Sequence, residues 1–251
     1  MCNLFSDLIG CEGLLILSIG ALLAGVVRGF AGFGTAMIYL PFAGQVLSPF
    51  AALTTLIVKD LIAPLMHVPR AVREGRPGDL FWLMAGAVLF VPTGVWVLSR
   101  VEPDVFRWGV SLVTFAMLAA LIFGLRYRGE ITRWMSFQTG ALGGFLAGSV
   151  GLPGPPVILL YMASTLPASA VRGTLTLYLI LADALMLGVL GWNGFIVPSA
   201  LALGAAMIVP YLLGNWVGAL LFQPELETLY RRVAYVIIAG SALLGLPVWR
   251  G

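Results

Sequence analysis

The sequence predicts an all-α polytopic membrane protein, and three observations predict it. The 251 residues are 60% hydrophobic and 10% charged, against roughly 45–50% and about 25% in soluble domains, and mean hydropathy is +1.02. The apolar residues gather in runs of about 17–25, the length at which a helix crosses about 30 Å of hydrocarbon; the ~10-residue alternating segments of a transmembrane barrel are not seen. Two glycine-rich stretches, one in each half, resemble each other. The chain therefore reads as two repeats of about five hydrophobic segments each, residues 1–125 and 126–251, together one transmembrane domain.

Taken in order, the N-terminus "MCNLFSDLIGCEG" carries Asp7 and Glu12 and lacks a basic n-region, so no detachable signal peptide is expected. Cys2 and Cys11 lack metal or redox partners in the pattern. The first segment, about 13–30, runs into "VVRGFAGFGTAMIYLP" (Val26–Pro41), where Gly32, Phe33 and Gly34 read as a bend. A new helix then opens with Thr35 as its N-cap, covering about 34–47. The third segment, about 49–68, holds Lys59 and Asp60, with His67 at its interfacial end. Segments at about 80–98 and 106–125 complete the first half.

The second half runs through about 134–150, 154–166, 168–191, 196–222 and 232–249. Its break lies in "GSVGLPGPPVILLYM" (Gly148–Met162), which matches Gly29–Ile38 with one inserted proline. Pro155 and Pro156 suit a first helical turn, where a missing N–H has no partner to lose. In each half an aspartate, Asp60 or Asp183, follows in the next long segment. Trp82, Trp96, Trp108, Trp134, Trp192 and Trp249 stand near segment ends, where indoles are stable at headgroup level. Trp216 alone reads as inside a span.

Arginines set the orientation, because cytoplasmic loops retain them. Arg70, Arg73 and Arg76 share one loop, Arg126, Arg128 and Arg133 a second, and Arg231 and Arg232 a third; alternate loops hold only Arg100 and Arg107, with Arg250 at the C-terminus. Placing the first group inside leaves both termini outside, and each half then crosses an odd number of times. The halves are thus expected to be inverted relative to each other, with broken or re-entrant helices at the glycine motifs. A parallel four-plus-four arrangement would put Arg231 and Arg232 outside and is disfavoured.

Unpaired backbone groups in hydrocarbon cost several kcal/mol each, so irregular backbone at membrane depth needs protein or a water-filled cavity around it. A helix N-terminus there offers N–H donors and about half a positive charge to an anion. Inverted repeats are expected to bring two such termini together as an anion site. Close small-residue packing is the competing explanation of the glycines. Charged residues in the spans each need a partner. Arg28 either grips a ligand with its forked guanidinium or pairs with Asp60 or Asp183. Arg172 contacts ligand or gate, or snorkels to headgroups. Asp60 and Asp183 carry protons or neutralise Arg28, Lys59 or Arg172, with pairing the favoured reading. Lys59 need not pair with Asp60, since successive helical residues do not face each other.

The same residues exclude other classes. Positive charge is scattered between spans, so no nucleic-acid partner is expected. One histidine, no nucleophile–base pair and no ligand cluster argue against an enzyme and against a metal or cofactor.

The segments "RGFAGFGTAMIYLP", "GFLAGSVGLPGPPVILLYM" and "RGTLTLYLI" (Arg172–Ile180) resemble the paired signatures of the TauE/SafE family of sulfite and organosulfonate exporters, over residues 13–249. The resemblance implies a bacterial inner-membrane transporter with substrate at the glycine motifs, here Gly29, Gly32, Gly34, Gly151, Gly154 and Pro155, and it matches Arg172 to the arginine of the second-half signature. The expected site is Arg28, Gly29, Gly32, Phe33, Gly34, Thr35, Gly151, Pro153, Gly154, Pro155 and Arg172, with Lys59, Asp60 and Asp183 coupling or pairing charge. The expected function is alternating-access export of a small anion, sulfite or an organosulfonate such as sulfoacetate; an anion channel and a carboxylate transporter are the alternatives. Expected partners are the anion and membrane lipids, and a homo-oligomer is compatible with the pattern.

Overall fold

The computed structural model describes residues 2–65, 68–123, 131–162, 164, 166–221 and 227–249. His67, Arg126, Arg128 and Arg250 lie outside the described residues, as do the side chains of Arg231 and Trp249. The described residues form eleven helices and no strand: α1 (Cys2–Ala31), α2 (Thr35–Val46), α3 (Pro49–Leu65), α4 (Val68–Glu74), α5 (Pro77–Leu98), α6 (Pro103–Ile122), α7 (Arg133–Val150), α8 (Gly154–Met162), α9 (Ala168–Trp192), α10 (Pro198–Leu221) and α11 (Glu227–Gly245). A 3-10 turn, Pro247–Trp249, follows. Among the described residues, five stretches are long and apolar enough to cross a membrane: Gly10–Phe30, Pro77–Leu98, Pro103–Ile122, Ser169–Trp192 and Pro198–Leu221.

Every expected segment is a helix, and the differences lie at the ends. α5 and α6 begin at Pro77 and Pro103, three residues ahead of the hydrophobic runs, because proline is preorganised for the first helical position. α4 falls where a loop was expected. It is a short, polar helix tied by Arg70 Nε to Glu74 Oε1 at 2.8 Å, a pair at the i,i+4 spacing that places side chains side by side. Trp216 lies within the span Pro198–Leu221, as expected, on its outward face.

The helices pack into two compact units, with boundaries inside α3 and α6. The first comprises residues 1–60, 102–118 and 196–251. Its main contact is α1 against α10, made close by glycines on both sides. A Cβ on Gly25 would stand 2.9 Å from Asn215 N, one on Gly29 would stand 2.7 Å from Ala219 N, and one on Gly218 would strike the Val26 carbonyl. α2 packs on α1 and α11. The second unit comprises residues 61–101 and 119–195 and centres on α5 against α7. There Gly86 faces Gly140, Gly94 faces Gly148 and Gly144 faces Ala87, and a Cβ on Gly140 would come 2.7 Å from Leu83 Cα. Close backbone approach of this kind gives packing where lipid removes the hydrophobic driving force between helices. Outward faces in both units are apolar, as Leu15, Phe81, Leu112, Trp192 and Leu220 show.

Candidate functional site

The first break lies in the first unit. α1 ends at Ala31; Gly32, with φ 79°, donates its N–H to the Arg28 carbonyl at 2.8 Å. Gly34, with φ 94°, is the N-cap of α2. Both sit in the left-handed region that side chains disfavour. At Gly32 room is not the obstacle, since nothing lies within 4 Å of where its Cβ would stand. Thr35 is therefore the first helical residue and not the cap expected from the sequence. The left-handed glycine already turns the chain into the helix, which frees the threonine hydroxyl to donate to Asp60 Oδ2 at 2.8 Å.

Lys59 pairs with Asp60, one of the pairings left open by the sequence. Their Cβ atoms diverge, but the four-carbon stem is long enough to turn back. The Lys59 side chain is 0% exposed, and a buried ammonium must reach an anion. Its Nζ also lies 4.9 Å from the centroid of Tyr39 and 4.1 Å from that of Tyr211, within cation–π range. The Tyr39 hydroxyl approaches Thr55, and that of Tyr211 lies in the fields of Asp60 and Arg28. Neither hydroxyl makes a well-formed hydrogen bond among the described residues. Arg28, half-buried in the last turn of α1, makes no ion pair among the described residues. Phe33, in the bend, is half-buried. Gly29 is not at the bend's open side: it faces α10, so close packing is the explanation for that glycine.

The second break, in the second unit, has the same length. Gly151, Leu152 and Pro153 separate α7 from α8, as Gly32, Phe33 and Gly34 separate α1 from α2. Gly151, with φ 73°, matches Gly32 in conformation and sends its N–H to the Ala147 carbonyl at 3.0 Å. Gly148 matches Gly29 in facing a neighbouring helix closely. The extra proline thus falls in the following helix and not in the break, with Pro155 and Pro156 in its first turn. Gly151, Pro153, Gly154 and Pro155 are all buried. Space left by Gly143 admits the Tyr178 hydroxyl and the Pro153 carbonyl. Asp183 is half-buried and acts electrostatically on Tyr178. Arg172 is exposed on α9 and makes no ion pair among the described residues.

A third constellation was not anticipated. At the start of α5, Asp79 Oδ2 stands 3.2 Å from Arg76 Nε. The fully buried Tyr161 of α8 approaches Asp79 and Ser136 of α7, and none of Tyr161 OH, Ser136 Oγ or Asp79 Oδ2 has a well-formed hydrogen bond. The missed signal was tyrosine. "MIYLP", "LLYM", "TLYLI" and "VPYLL" each place one in an apolar run, where its hydroxyl needs a partner. The four residues, Tyr39, Tyr161, Tyr178 and Tyr211, are 0% exposed.

The family model for the sulfite exporter TauE/SafE matches residues 17–244. No curated protein and no solved structure matches the chain.

Proposed function

This chain belongs to the sulfite exporter TauE/SafE family of membrane transporters, and on that premise we propose that it is a secondary transporter that exports a small anion by alternating access across the bacterial inner membrane. The anion is sulfite or an organosulfonate such as sulfoacetate. It binds at the first break, on the N–H groups that open α2 after Gly32, Phe33 and Gly34, with Arg28 supplying a full positive charge. The second break, Gly151 to Pro155, offers a second helix start of the same construction, and Arg172 lies on the helix that follows it.

One observation carries the reading. Arg28 stands at the break without an ion pair among the described residues, while Asp60, a carboxylate of the same unit, is held by Lys59 and Thr35. A guanidinium left over beside open helix donors is suited to an anionic ligand. Thermal stabilisation of the purified protein by sulfite, sulfoacetate, taurine, thiosulfate, malonate, succinate and phosphate tests it, because a ligand that binds only the folded state raises stability by mass action. A sulfonate should stabilise, and Arg28→Ala should weaken its binding about tenfold or more, the worth of a charge-assisted contact. Proteoliposome flux should then saturate and show counterflow. Full retention of binding and flux in Arg28→Ala would remove the site.

A further inference from the structure

The geometry points to a second, masked positive charge in the same site: Lys59, covered by the Asp60 carboxylate, becomes available to a divalent anion when Asp60 takes up a proton. This rests on the first break being the anion site. Four observations lead to it. Lys59 is fully buried, its ammonium set between the Tyr39 and Tyr211 rings and paired with Asp60. The Asp60 side chain is 12% exposed and that of Lys59 0%, so the carboxylate is the open side of the pair. Its other oxygen accepts from Thr35, the first residue of α2, so the carboxylate stands at the helix start that would receive the substrate. Two buried tyrosine hydroxyls nearby lack well-formed hydrogen bonds.

Charge balance then separates two kinds of substrate. Among the described residues Asp60 acts on Thr35 and Tyr39 of α2, Tyr211 of α10 and Lys59 of α3 itself, while Thr55 of α3 approaches Tyr39 and Arg28 of α1 acts on the same Tyr211. Arg28, Lys59 and ionised Asp60 together carry one positive charge, which a monovalent sulfonate neutralises without further change. A divalent anion would leave one uncompensated negative charge in a site largely removed from water. Buried groups avoid that cost by changing protonation. A proton from solvent on Asp60 restores neutrality, frees Thr35 and Lys59, and lets the ammonium meet the second charge of the anion.

Titration calorimetry on the full chain in nanodiscs, in buffers of different ionisation enthalpy, reads the proton count directly. The probes are isethionate, monovalent, and ethanedisulfonate, divalent throughout the working pH range. The expected result is about zero protons taken up with isethionate and about one with ethanedisulfonate, whose apparent Kd should weaken by up to about tenfold per pH unit once Asp60 is ionised. Asp60→Asn should abolish the uptake. Because that variant leaves Lys59 buried without its counter-charge, the doubly neutral Lys59→Met/Asp60→Asn chain serves if the single variant does not fold, and it too should take up no proton. Equal proton counts for the two sulfonates, or uptake that persists in a folded variant, would overturn the masked charge while leaving the anion site in place. Failure of the wild-type chain to bind either sulfonate would overturn both.

Discussion

Lys59 shows how much of this molecule is decided by single side chains. Its ammonium is fully buried against a carboxylate and two ring faces. Removing one member of a buried pair strands the other, at about 3–5 kcal/mol, whereas removing both is often close to neutral. Lys59→Met should therefore lower unfolding stability strongly, and adding Asp60→Asn should recover most of the loss; a double-mutant cycle in denaturant measures the coupling. The glycines divide in the same way. Gly32→Ala should destabilise by about 1–2 kcal/mol through its left-handed backbone alone. Gly154→Ala should cost little, because the added Cβ would meet only the mobile ends of Ile158 and Leu179, at 3.3 and 3.5 Å. Equal losses in the two variants would contradict the conformational argument. The residues themselves were legible: Arg28, Lys59, Asp60, Gly32 and Gly34 stand out as charges or glycines in apolar runs. Their pairing was not, since Asp60 could be matched with Arg28 or Lys59 until Thr35 and the lysine stem were placed.

Helices were the most legible level, because length and hydropathy suffice to mark a span. What hydropathy misses is polar structure between spans, hence α4, and helix starts set by proline, hence the early ends of α5 and α6. Glycine spacing carries a second message that hydropathy does not. Gly25, Gly29, Gly214 and Gly218 bring α1 onto α10, while Gly86, Gly94, Gly140, Gly144 and Gly148 bring α5 onto α7. Leucine at Gly218 or at Gly140 should sharply reduce the yield of folded protein, since backbone would have to give way and overpacking costs about 1–3 kcal/mol or more. Leucine at Gly188, where nothing lies within 4 Å of a Cβ, should leave yield unchanged. Size-exclusion profiles of the three variants provide the comparison.

For the whole molecule, the partition into sequence halves and the partition into compact units are different things. The first unit draws α1, α2, most of α3 and most of α6 from one half and α10 and α11 from the other; the second draws α4 and α5 from one and α7, α8 and α9 from the other. The inverted arrangement of the halves, with both termini outside, is part of the proposed transport mechanism and has its own test. In a background with Cys2 and Cys11 replaced by serine, Val72→Cys on α4 should react with an impermeant thiol reagent only from the cytoplasmic side. Glu102→Cys, ahead of α6, should react only from outside. Reaction of both from one side would break the parity argument and with it the inversion.

The sequence by itself determined that this is a helical membrane protein of the TauE/SafE family, that its helices break at two related glycine motifs, and which few charges stand in apolar runs. The membrane class, the breaks and the charges follow from composition, run length and backbone chemistry, properties each segment carries alone, whereas the family shows in the resemblance of the motifs in both halves. Only the tertiary structure decided that Asp60 belongs to Lys59 and Thr35, that Arg28 is left without an ion pair among the described residues, and that Gly29 packs helices while Gly32 turns the chain. It also brought Asp79, Ser136 and Tyr161 together from three helices. The reason is range: a partner for a buried charge or hydroxyl is chosen by proximity across helices, and residues distant in the chain carry no mark in their local pattern of which of them will meet.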